Sequence, residues 1–283
     1  KPPMQLQTEN LGGHMAVAIH GLDLRTVPSP NLSAALRQAL WDHQVVCIRG
    51  QTLTPGQFQA VLSIFGEPQV RPEIPHVEGH PAVTTLSSED RDAMGDGKRI
   101  VVGSHWHSDD TYWARPSAIT ALYGIEVPET GGDTQYANMY AAYEALPEEK
   151  RHALDRMKVV HMMVTNRKDV RGARTIAPEI LAKRPPVMHP LVRTHPETGT
   201  KAVWFHKNKT ETVTGMSPEE TQDFLQDLTD RITQPEFCYA HEYQKGDLLI
   251  IDDRASLHKA GFDYDHSQHR RLYRMLVRGD RPY

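Results

Sequence analysis

Cysteine is scarce in this sequence. Of its 283 residues, only Cys47 and Cys238 are cysteines, and neither belongs to a Cys-x-x-Cys pair. Two isolated cysteines cannot supply the disulfide framework of a small secreted domain, so we expect a reducing, cytoplasmic setting. Long apolar runs are also missing: none approaches the roughly 20 residues that span a bilayer, and residues 1–6 lack the apolar core of a signal peptide. We therefore expect neither membrane insertion nor secretion.

Basic patches are absent as well. The chain has 32 Lys and Arg against 36 Asp and Glu, a formal net charge of −4, and the two signs are interspersed. Such a surface offers no stripe for nucleic acid and no polybasic segment for a membrane. The sequence also lacks a GxSxG elbow, a P-loop and a GxGxxG fingerprint, which argues against serine hydrolases, NTPases and dinucleotide enzymes. These exclusions leave a globular protein that acts on a small molecule as the expected class.

Apolar patterns predict strands with helices between some of them. Short β-branched or alternating runs predict strands over 45–48, 118–125, 237–243, 248–251 and 272–277. Capping signals predict helices over 54–66 and 217–232, and weaker patterns predict helices over 32–43 and 140–157. Because strands and helices do not alternate regularly, we expect a mainly β fold with antiparallel strands and flanking helices, compatible with a jelly roll.

No linker or repeat divides the chain, so the sequence predicts a single domain over residues 1–283. Two stretches, at about 69–104 and 166–186, are rich in proline and charged residues and predict long surface loops. Loops of this length in a compact domain are usually lids or disordered, so we expect lid-like loops here, with plain solvated loops as the alternative.

Two imidazoles and one carboxylate suggest a metal site. His107 and Asp109 form a His-x-Asp pair, and alternate residues of an extended segment point to the same side. With the distant His258, they could cover one face of an octahedron and leave three positions open, as in non-haem Fe(II) oxygenases. A His-x-Asp pair is weak evidence alone, and with 16 histidines in the chain an ordinary structural role for His107 stays open at this point.

An ordered series of motifs changes that weighing. It comprises Trp-His-Ser-Asp at 106–109, Thr-Gly-Gly-Asp-Thr at 130–134, Ala-Ala-Tyr-Glu-Ala-Leu at 141–146, His-Pro-Leu-Val-Arg-Thr-His-Pro at 189–196 and Arg-Arg-Leu-Tyr-Arg at 270–274. This series resembles the taurine dioxygenase and 2,4-dichlorophenoxyacetate dioxygenase (TauD/TfdA) family over nearly the whole chain. The fold that the resemblance implies is a double-stranded β-helix, a cupin-like jelly roll with flanking helices.

The resemblance also implies a reaction. His107, Asp109 and His258 would be the catalytic Fe(II) ligands. The enzyme would use O₂ and the cosubstrate 2-oxoglutarate, release succinate and CO₂, and hydroxylate a small organic substrate. Self-association as a dimer or tetramer is expected from the family alone.

The cosubstrate would be bound by three further residues. The resemblance implies that Arg274 and the hydroxyl of Thr134 meet the distal carboxylate of 2-oxoglutarate, with Arg270 as a second arginine nearby. A planar guanidinium can engage a carboxylate through two parallel charge-assisted hydrogen bonds, which suits this role.

The chain departs from the family pattern near the substrate. Arg71 and Ile74 stand where taurine dioxygenase has a histidine and a tyrosine that help to hold the sulfonate, so taurine is not the expected substrate and another anion is. Residues 251–254 read Ile-Asp-Asp-Arg instead of Trp-Asp-Asn-Arg. Candidates to line the substrate pocket, besides Arg71 and Ile74, are Tyr112, Trp113 and Trp204.

Two other classes of protein remain open. A zinc-dependent hydrolase could use the same three ligands to activate water, but it would not need the carboxylate-binding Thr134 and Arg274. A non-catalytic binding module on the same barrel is the second alternative. Loss of a metal ligand would favour it, and no ligand is missing.

Overall fold

The structure, a computed structural model, describes residues 4–72, 74–90, 97, 103–170, 175–261, 263–265 and 267–283. The strands of this part of the chain are β1 (Gln7–Asn10), β2 (Val17–His20), β3 (Val45–Ile48), β4 (His76–Val77), β5 (His80–Ser87), β6 (Ser117–Glu126), β7 (Thr134–Asn138), β8 (Lys158–His161), β9 (Val187–Pro190), β10 (Val192–Thr194), β11 (Lys201–Val203), β12 (Thr210–Val213), β13 (Cys238–His241), β14 (Leu248–Asp252), β15 (Ser256–Ala260) and β16 (Arg271–Arg278). The helices are α1 (Pro30–His43), α2 (Pro55–Leu62), α3 (Met139–Glu144), α4 (Glu148–Asp155), α5 (Pro178–Ala182) and α6 (Pro218–Ile232).

The larger sheet contains eight of the described strands in the order β1-β2-β3-β14-β6-β16-β5-β4. Neighbouring strands in this sheet are antiparallel, except that β2 and β3 are parallel. A smaller sheet has the order β13-β7-β15, and side chains of both sheets share one apolar cluster that includes Leu122, Tyr136 and Leu249. The fold is therefore the expected jelly roll, with the metal-site candidates between the two sheets.

The strand β14 shows why both faces of the larger sheet are buried. Leu248 and Ile250 belong to the cluster beneath α1 and α2, whereas Leu249 and Ile251 belong to the cluster between the sheets. Alternate side chains of a strand point to opposite faces, so an unbroken apolar run fits a strand that is covered on both sides. β14 thus anchors the turn that leads to His258.

Capping residues set the helix starts that the sequence predicts. The side chain of Thr54 accepts a hydrogen bond from the backbone of Gln57 at 3.2 Å, and the Gln57 side chain returns one to Thr54. Ser217 and Glu220 form the same reciprocal capping box at α6. None of the helices in the described residues is long and apolar enough to cross a membrane.

Three expectations about local structure are corrected. The predicted helix over 140–157 is two helices, α3 and α4, because Pro147 has no backbone N–H to continue the first. The predicted loop over 69–104 contains β4 and β5, whose β-branched residues were hidden among prolines and charged residues. The predicted loop over 166–186 contains the short helix α5. Residues 73, 91–96, 98–102 and 171–174 of these two stretches lie outside the described residues.

Several histidines are buried in the fold. His189 in β9 is 2% exposed, and its Nε2 contacts the carbonyl oxygen of Trp113 at 2.8 Å. Burial lowers the pKa of His189 from 6.5 to about 4. Burial also lowers the pKa of His161 well below its ordinary value, with a contribution from nearby His189. These imidazoles are neutral at pH 7.

Acid is therefore expected to destabilise the fold before its carboxylates titrate. Unfolded His189 gains a proton near pH 6.5 but the folded form only near pH 4, so its stabilising contribution is complete above pH 6.5 and falls as the pH drops towards 4. One such group lowers the free energy of unfolding by about 2 kcal/mol between pH 7.5 and 5. In urea denaturation, the free energy of unfolding of His189→Gln should fall between pH 7.5 and 5 by about that amount less than the wild-type value does. The control is His152→Gln, an exposed position, which should behave like wild type. If the free energy of unfolding of His189→Gln changes with pH as it does in wild type, this account is contradicted.

Candidate active site

The structure brings His107, Asp109 and His258 together. His107 and His258 exchange backbone hydrogen bonds of 3.0 and 2.9 Å, so an isolated bridge joins the segment after residue 103 to β15. Their rings are 4.3 Å apart between centroids. Asp109 follows two residues after His107, as the His-x-Asp spacing predicts. All three side chains are buried.

The ligand atoms have a spacing that fits one metal ion. Nε2 of His107 is 3.4 Å from one oxygen of Asp109, and Nε2 of His258 is 3.7 Å from the other. All three ligand groups offer atoms within 4.8 Å of one another. Donors about 2.1 Å from a shared ion are about 3 Å apart along an octahedral edge, so only a small contraction would be needed.

The surroundings of the three candidate ligand groups bear on metal binding. Nδ1 of His107 contacts the carbonyl oxygen of His105 at 2.5 Å, so that nitrogen carries the proton and Nε2 keeps its lone pair. Burial, with the charge of His107, lowers the pKa of His258 to about 3. Burial alone would raise the pKa of Asp109, but His258, His107 and Arg274 together hold it well below its ordinary value. The set offers two imidazoles and one carboxylate as donors.

A buried hydroxyl links Asp109 to a second carboxyl group. Oγ1 of Thr120 is 2.6 Å from Asp109 and 2.5 Å from Asp253. Burial and the charge of Asp109 raise the pKa of Asp253 well above its ordinary value. Thr120 thus bridges the two carboxyl groups and donates its single hydroxyl hydrogen to one of them at a time. These hydrogen bonds fix the orientation of the Asp109 carboxylate. They also place residues 251–254, where the sequence departs from the family pattern, beside the metal-site candidates.

A cavity opens next to the three ligands and contains all of the predicted cosubstrate-binding residues. Its walls include His107, Asp109 and His258 together with Thr134, Arg270, Arg274, Leu86, Leu122, Tyr264 and Leu272. Arg274 is buried, and its positive charge acts on both Asp109 and His258. It therefore lies at the metal end of the cavity.

Arg270 and Thr134 lie together at the Tyr243 side of the cavity. Nε of Arg270 donates to the carbonyl oxygen of Gly132 at 3.2 Å, and its guanidinium is 5.7 Å from the Tyr243 ring centre. The Tyr243 hydroxyl is 3.0 Å from that of Thr134. Gly131 and Gly132 have φ values of +75° and +70°, and a Cβ on Gly131 would be 2.4 Å from the carbonyl oxygen of Asp263. Glycine is thus required in the turn that sets Thr134 opposite Arg270.

The predicted substrate residues lie elsewhere. Arg71 forms an ion pair with Asp110, the residue after the ligand Asp109, and both side chains are buried. Ile74 closes a short turn, with its N–H donating to the carbonyl oxygen of Arg71 at 3.2 Å. None of the five substrate candidates is among the residues that line the described cavity.

The aromatic candidates differ in how much surface they leave for a ligand. Tyr112 and Trp113 pack against each other, and Arg184 lies over the Trp113 ring at 3.8 Å. Trp204 is 0% exposed, and its Nε1 donates to the carbonyl oxygen of Asp253 at 3.0 Å. This complete burial supports a structural role for Trp204.

The sequence argument missed Thr120, Tyr243, His206 and Asp253. The His206 ring is 4.7 Å from that of His107, and its backbone forms a bridge to the same residue. Asp253 carried a signal, since it departs from the family pattern. Thr120 and Tyr243 lie in ordinary strand-like surroundings, and only the pairing of distant segments reveals their position.

A second group of potential ligands does not form a comparable site. Atoms of Cys47, His241 and Asp247 also lie within 4.8 Å of one another. However, His241 already contacts Tyr239 at 2.7 Å and Asp247 at 2.9 Å. Arg49 contacts both oxygens of Asp247 at 3.2 and 3.0 Å. Burial raises the pKa of Cys47 to about 12. A protonated thiol, a saturated imidazole and an adjacent guanidinium make this a structural network.

Comparisons with known proteins agree with the geometry. The family model described as "Taurine catabolism dioxygenase TauD, TfdA family" matches residues 7–276. An alkylsulfatase of Acinetobacter baylyi is 31% identical over 292 residues, covering 99% of this chain and 87% of that protein. An alpha-ketoglutarate-dependent sulfate ester dioxygenase of Pseudomonas putida is 30% identical over 293 residues, covering 99% and 91%. The solved structure of AAD-2 in complex with Mn(II) and N-oxalylglycine has a TM-score of 0.82 at 28% identity, covering 99% of both chains.

Proposed function

The chain belongs to the taurine catabolism dioxygenase TauD, TfdA family and is a 2-oxoglutarate-dependent dioxygenase, and from this premise we propose that His107, Asp109 and His258 bind its Fe(II). The observation that carries the proposal is the donor set itself. Two imidazoles and a carboxylate, all buried, are arranged about one point beside a cavity with two arginines. Nitrogen and oxygen donors without thiolate suit Fe(II) with open coordination positions.

We assign 2-oxoglutarate to that cavity, with Thr134, Arg270 and Arg274 as its binding residues. The buried guanidinium of Arg274 and the half-buried one of Arg270 compensate the two carboxylates of this dianion, and the Thr134 hydroxyl adds a hydrogen bond. Arg270 shares an end of the cavity with Thr134, in place of Arg274 as the resemblance implied, and Arg274 is nearer to the candidate metal ligands. N-Oxalylglycine, bound in the AAD-2 structure, has the same two terminal carboxylates as 2-oxoglutarate. With iron bound, the cosubstrate and O₂ supply the oxidising chemistry, and the protein orients them.

The proposed reaction hydroxylates a small organic anion and releases succinate and CO₂. The named relatives act on sulfate esters and alkyl sulfates, so we propose a substrate with a negatively charged group on an apolar body. Taurine is disfavoured because Arg71 and Ile74 replace both of the family's sulfonate-binding side chains. A zinc hydrolase or a plain binding module would not require the two cavity arginines.

The remaining parts of the proposal concern the setting of the enzyme. We propose one catalytic domain that self-associates as a dimer or tetramer and has no nucleic-acid or membrane partner. The stretch 166–186 is proposed as a lid over the substrate, whereas the stretch 69–104 includes β5, which pairs with β16 in the larger sheet and is not part of a lid. Cys47 and Cys238, both described, are free thiols, which supports a cytoplasmic location.

Arg274→Met tests the assignment of the cosubstrate site. The loss of two charge-assisted hydrogen bonds is expected to raise the KM for 2-oxoglutarate at least about 100-fold. Succinate formation is measured by chromatography with purified protein, Fe(II) and a panel of sulfate esters and carboxylates. The control is Arg278→Met, in the same strand but exposed and paired with Glu67 at 3.4 Å, and its KM should not change. An unaltered KM in folded Arg274→Met would overturn the assignment.

A further inference from the structure

A group of three charged residues, two of them buried, lies outside the proposed cosubstrate cavity. It consists of Arg71, Asp110 and Lys209, hereafter the anion cluster. The Arg71 and Asp110 side chains are 8% and 1% exposed and form an ion pair. Asp110 also accepts a hydrogen bond from the Ser117 hydroxyl. The charge of Arg71 acts on the nearby ammonium group of Lys209.

The anion cluster is next to the metal ligands. Asp110 directly follows Asp109 in the chain and has a left-handed φ of +60°. The backbone N–H of Lys209 donates to the carbonyl oxygen of His206 at 3.0 Å, and the His206 ring is 4.7 Å from that of His107. Asp110 therefore lies on the segment that carries His107 and Asp109, and Lys209 lies on the segment whose His206 packs against His107. A molecule bound here would lie within reach of the reacting centre without occupying the cosubstrate cavity.

The anion cluster has one more cation than anions. Both oxygens of Asp110 are engaged, one by Arg71 and one by Ser117. Lys209 donates to the carbonyl oxygen of Met163 and lies 5.5 Å from the Tyr112 ring centre. Among the described residues, no carboxylate forms an ion pair with Lys209. Lys209 is half-buried, so water solvates its charge only in part, and a bound anion would compensate it.

The pKa of Lys209 agrees with this description. Burial, followed by the repulsion of Arg71, lowers it from 10.5 to about 8. The ammonium form therefore still predominates at pH 7, and an anion beside it would raise the pKa again. An ammonium group has three donors, so two remain after the contact with Met163.

Buried polar groups beside the cluster point to a ligand as well. The hydroxyl of Thr111, the residue after Asp110, is fully buried and has no hydrogen-bond partner within the described chain. The same holds for both ring nitrogens of His161, which lies near His206. Buried polar groups are nearly always satisfied in native proteins, so unsatisfied ones mark a place where water or a ligand binds.

We propose that Lys209 determines substrate specificity by binding the anionic group of the substrate beside the ion pair of Arg71 and Asp110. Asp110 orients the Arg71 guanidinium and neutralises it, so the net attraction comes from Lys209. Tyr112 and Ile74 offer apolar surface for the body of the substrate. The ligand class is a small organic monoanion, with sulfate and carboxylate groups sharing the chemistry. This inference rests on the proposed function, because it places that anion at the substrate side of the iron.

Calorimetric titration tests the proposal with four probes of one chain length: hexyl sulfate, hexanoate, hexylammonium and 1-hexanol. The protein is loaded with Mn(II) and 2-oxoglutarate, so that turnover does not consume the probe. Wild type should bind one or both anions and neither of the other probes. Lys209→Met should bind the anion about 10- to 100-fold more weakly, as expected for loss of a charge-assisted hydrogen bond. Lys209→Arg should restore most of the affinity.

Lys207→Met is the matched control, because the Lys207 ammonium contacts Gln226 on the exposed face of α6 at 2.6 Å, and it should bind like wild type. The proposal is overturned if Lys209→Met binds the anions as tightly as wild type, if hexylammonium binds better than either anion, or if wild type binds neither anion. Titration of 2-oxoglutarate alone into the Mn(II) protein separates the outcomes. If 2-oxoglutarate does not bind, the proposed function is wrong. If 2-oxoglutarate binds and the hexyl anions do not, only the role of Lys209 is wrong.

Discussion

Replacing Asp109 with alanine is expected to reduce 2-oxoglutarate turnover by more than about 100-fold, because even the outer partners of metal ligands contribute 10- to 100-fold. Asp109 is the one carboxylate of the set. Without it only the two imidazoles would remain to hold a divalent cation. The fold should persist, because the substitution also relieves the repulsion between Asp109 and the buried Asp253. Metal content after dialysis and succinate formation are the two measurements.

The control is Asp280→Ala, an exposed carboxylate 3.7 Å from Arg115, which should retain full iron content and turnover. His107→Ala is expected to match Asp109→Ala. Full activity of both ligand variants, with the iron retained, would show that the metal is bound elsewhere. A loss of iron together with a loss of secondary structure would show instead that Asp109 is needed for folding.

Asp252→Ala is expected to lower the free energy of unfolding by about 3–5 kcal/mol, the range for removing one partner of a buried ion pair. Asp252 is 1% exposed and accepts hydrogen bonds from Arg254 at 2.9 and 3.2 Å, with His195 at 2.7 Å. Its removal would leave the buried Arg254 uncompensated beside Arg193. Burial, together with the charge of Arg254, already lowers the pKa of Arg193 to about 10.

Urea denaturation at pH 7.5 measures this change. The control is Asp23→Ala, whose partner Arg25 lies at 2.6 Å but is 64% exposed in its side chain. An exposed pair contributes at most about 1 kcal/mol. Equal small losses in both variants would mean that solvent reaches Asp252 and that the network is not the source of stability near His258.

Local signals predicted the parts of the fold that depend on neighbouring residues. Thr54 and Ser217 cap helices through residues three positions away, so their helices could be placed from the sequence. The continuous apolar run of β14 indicates a strand buried on both faces. β5 was missed because its β-branched core lies in a segment whose overall composition is that of a loop.

The site was predictable where motifs name residues and not where distant segments meet. The resemblance named His107, Asp109, His258 and the two cavity arginines, and the structure brings all of them together. Thr120 lies beside Asp253 because β6 and β14 pair in a register that aligns Thr120 with Ile251.

The partnership of Arg71 with Asp110 and Lys209 depends in the same way on three segments far apart in the chain. Such contacts follow from strand order and register, which periodicity does not specify. Lys209 in particular reads as an ordinary surface lysine until the structure shows Tyr112 and Arg71 beside it.

The most direct test of the central claim is visible absorption spectroscopy of the anaerobic protein, titrated with Fe(II) and then with 2-oxoglutarate. The account predicts a weak charge-transfer band from the keto acid chelated to iron, appearing with a stoichiometry of one and absent in Asp109→Ala. No band from folded wild type, with zinc bound in place of iron, would contradict the account and favour the hydrolase.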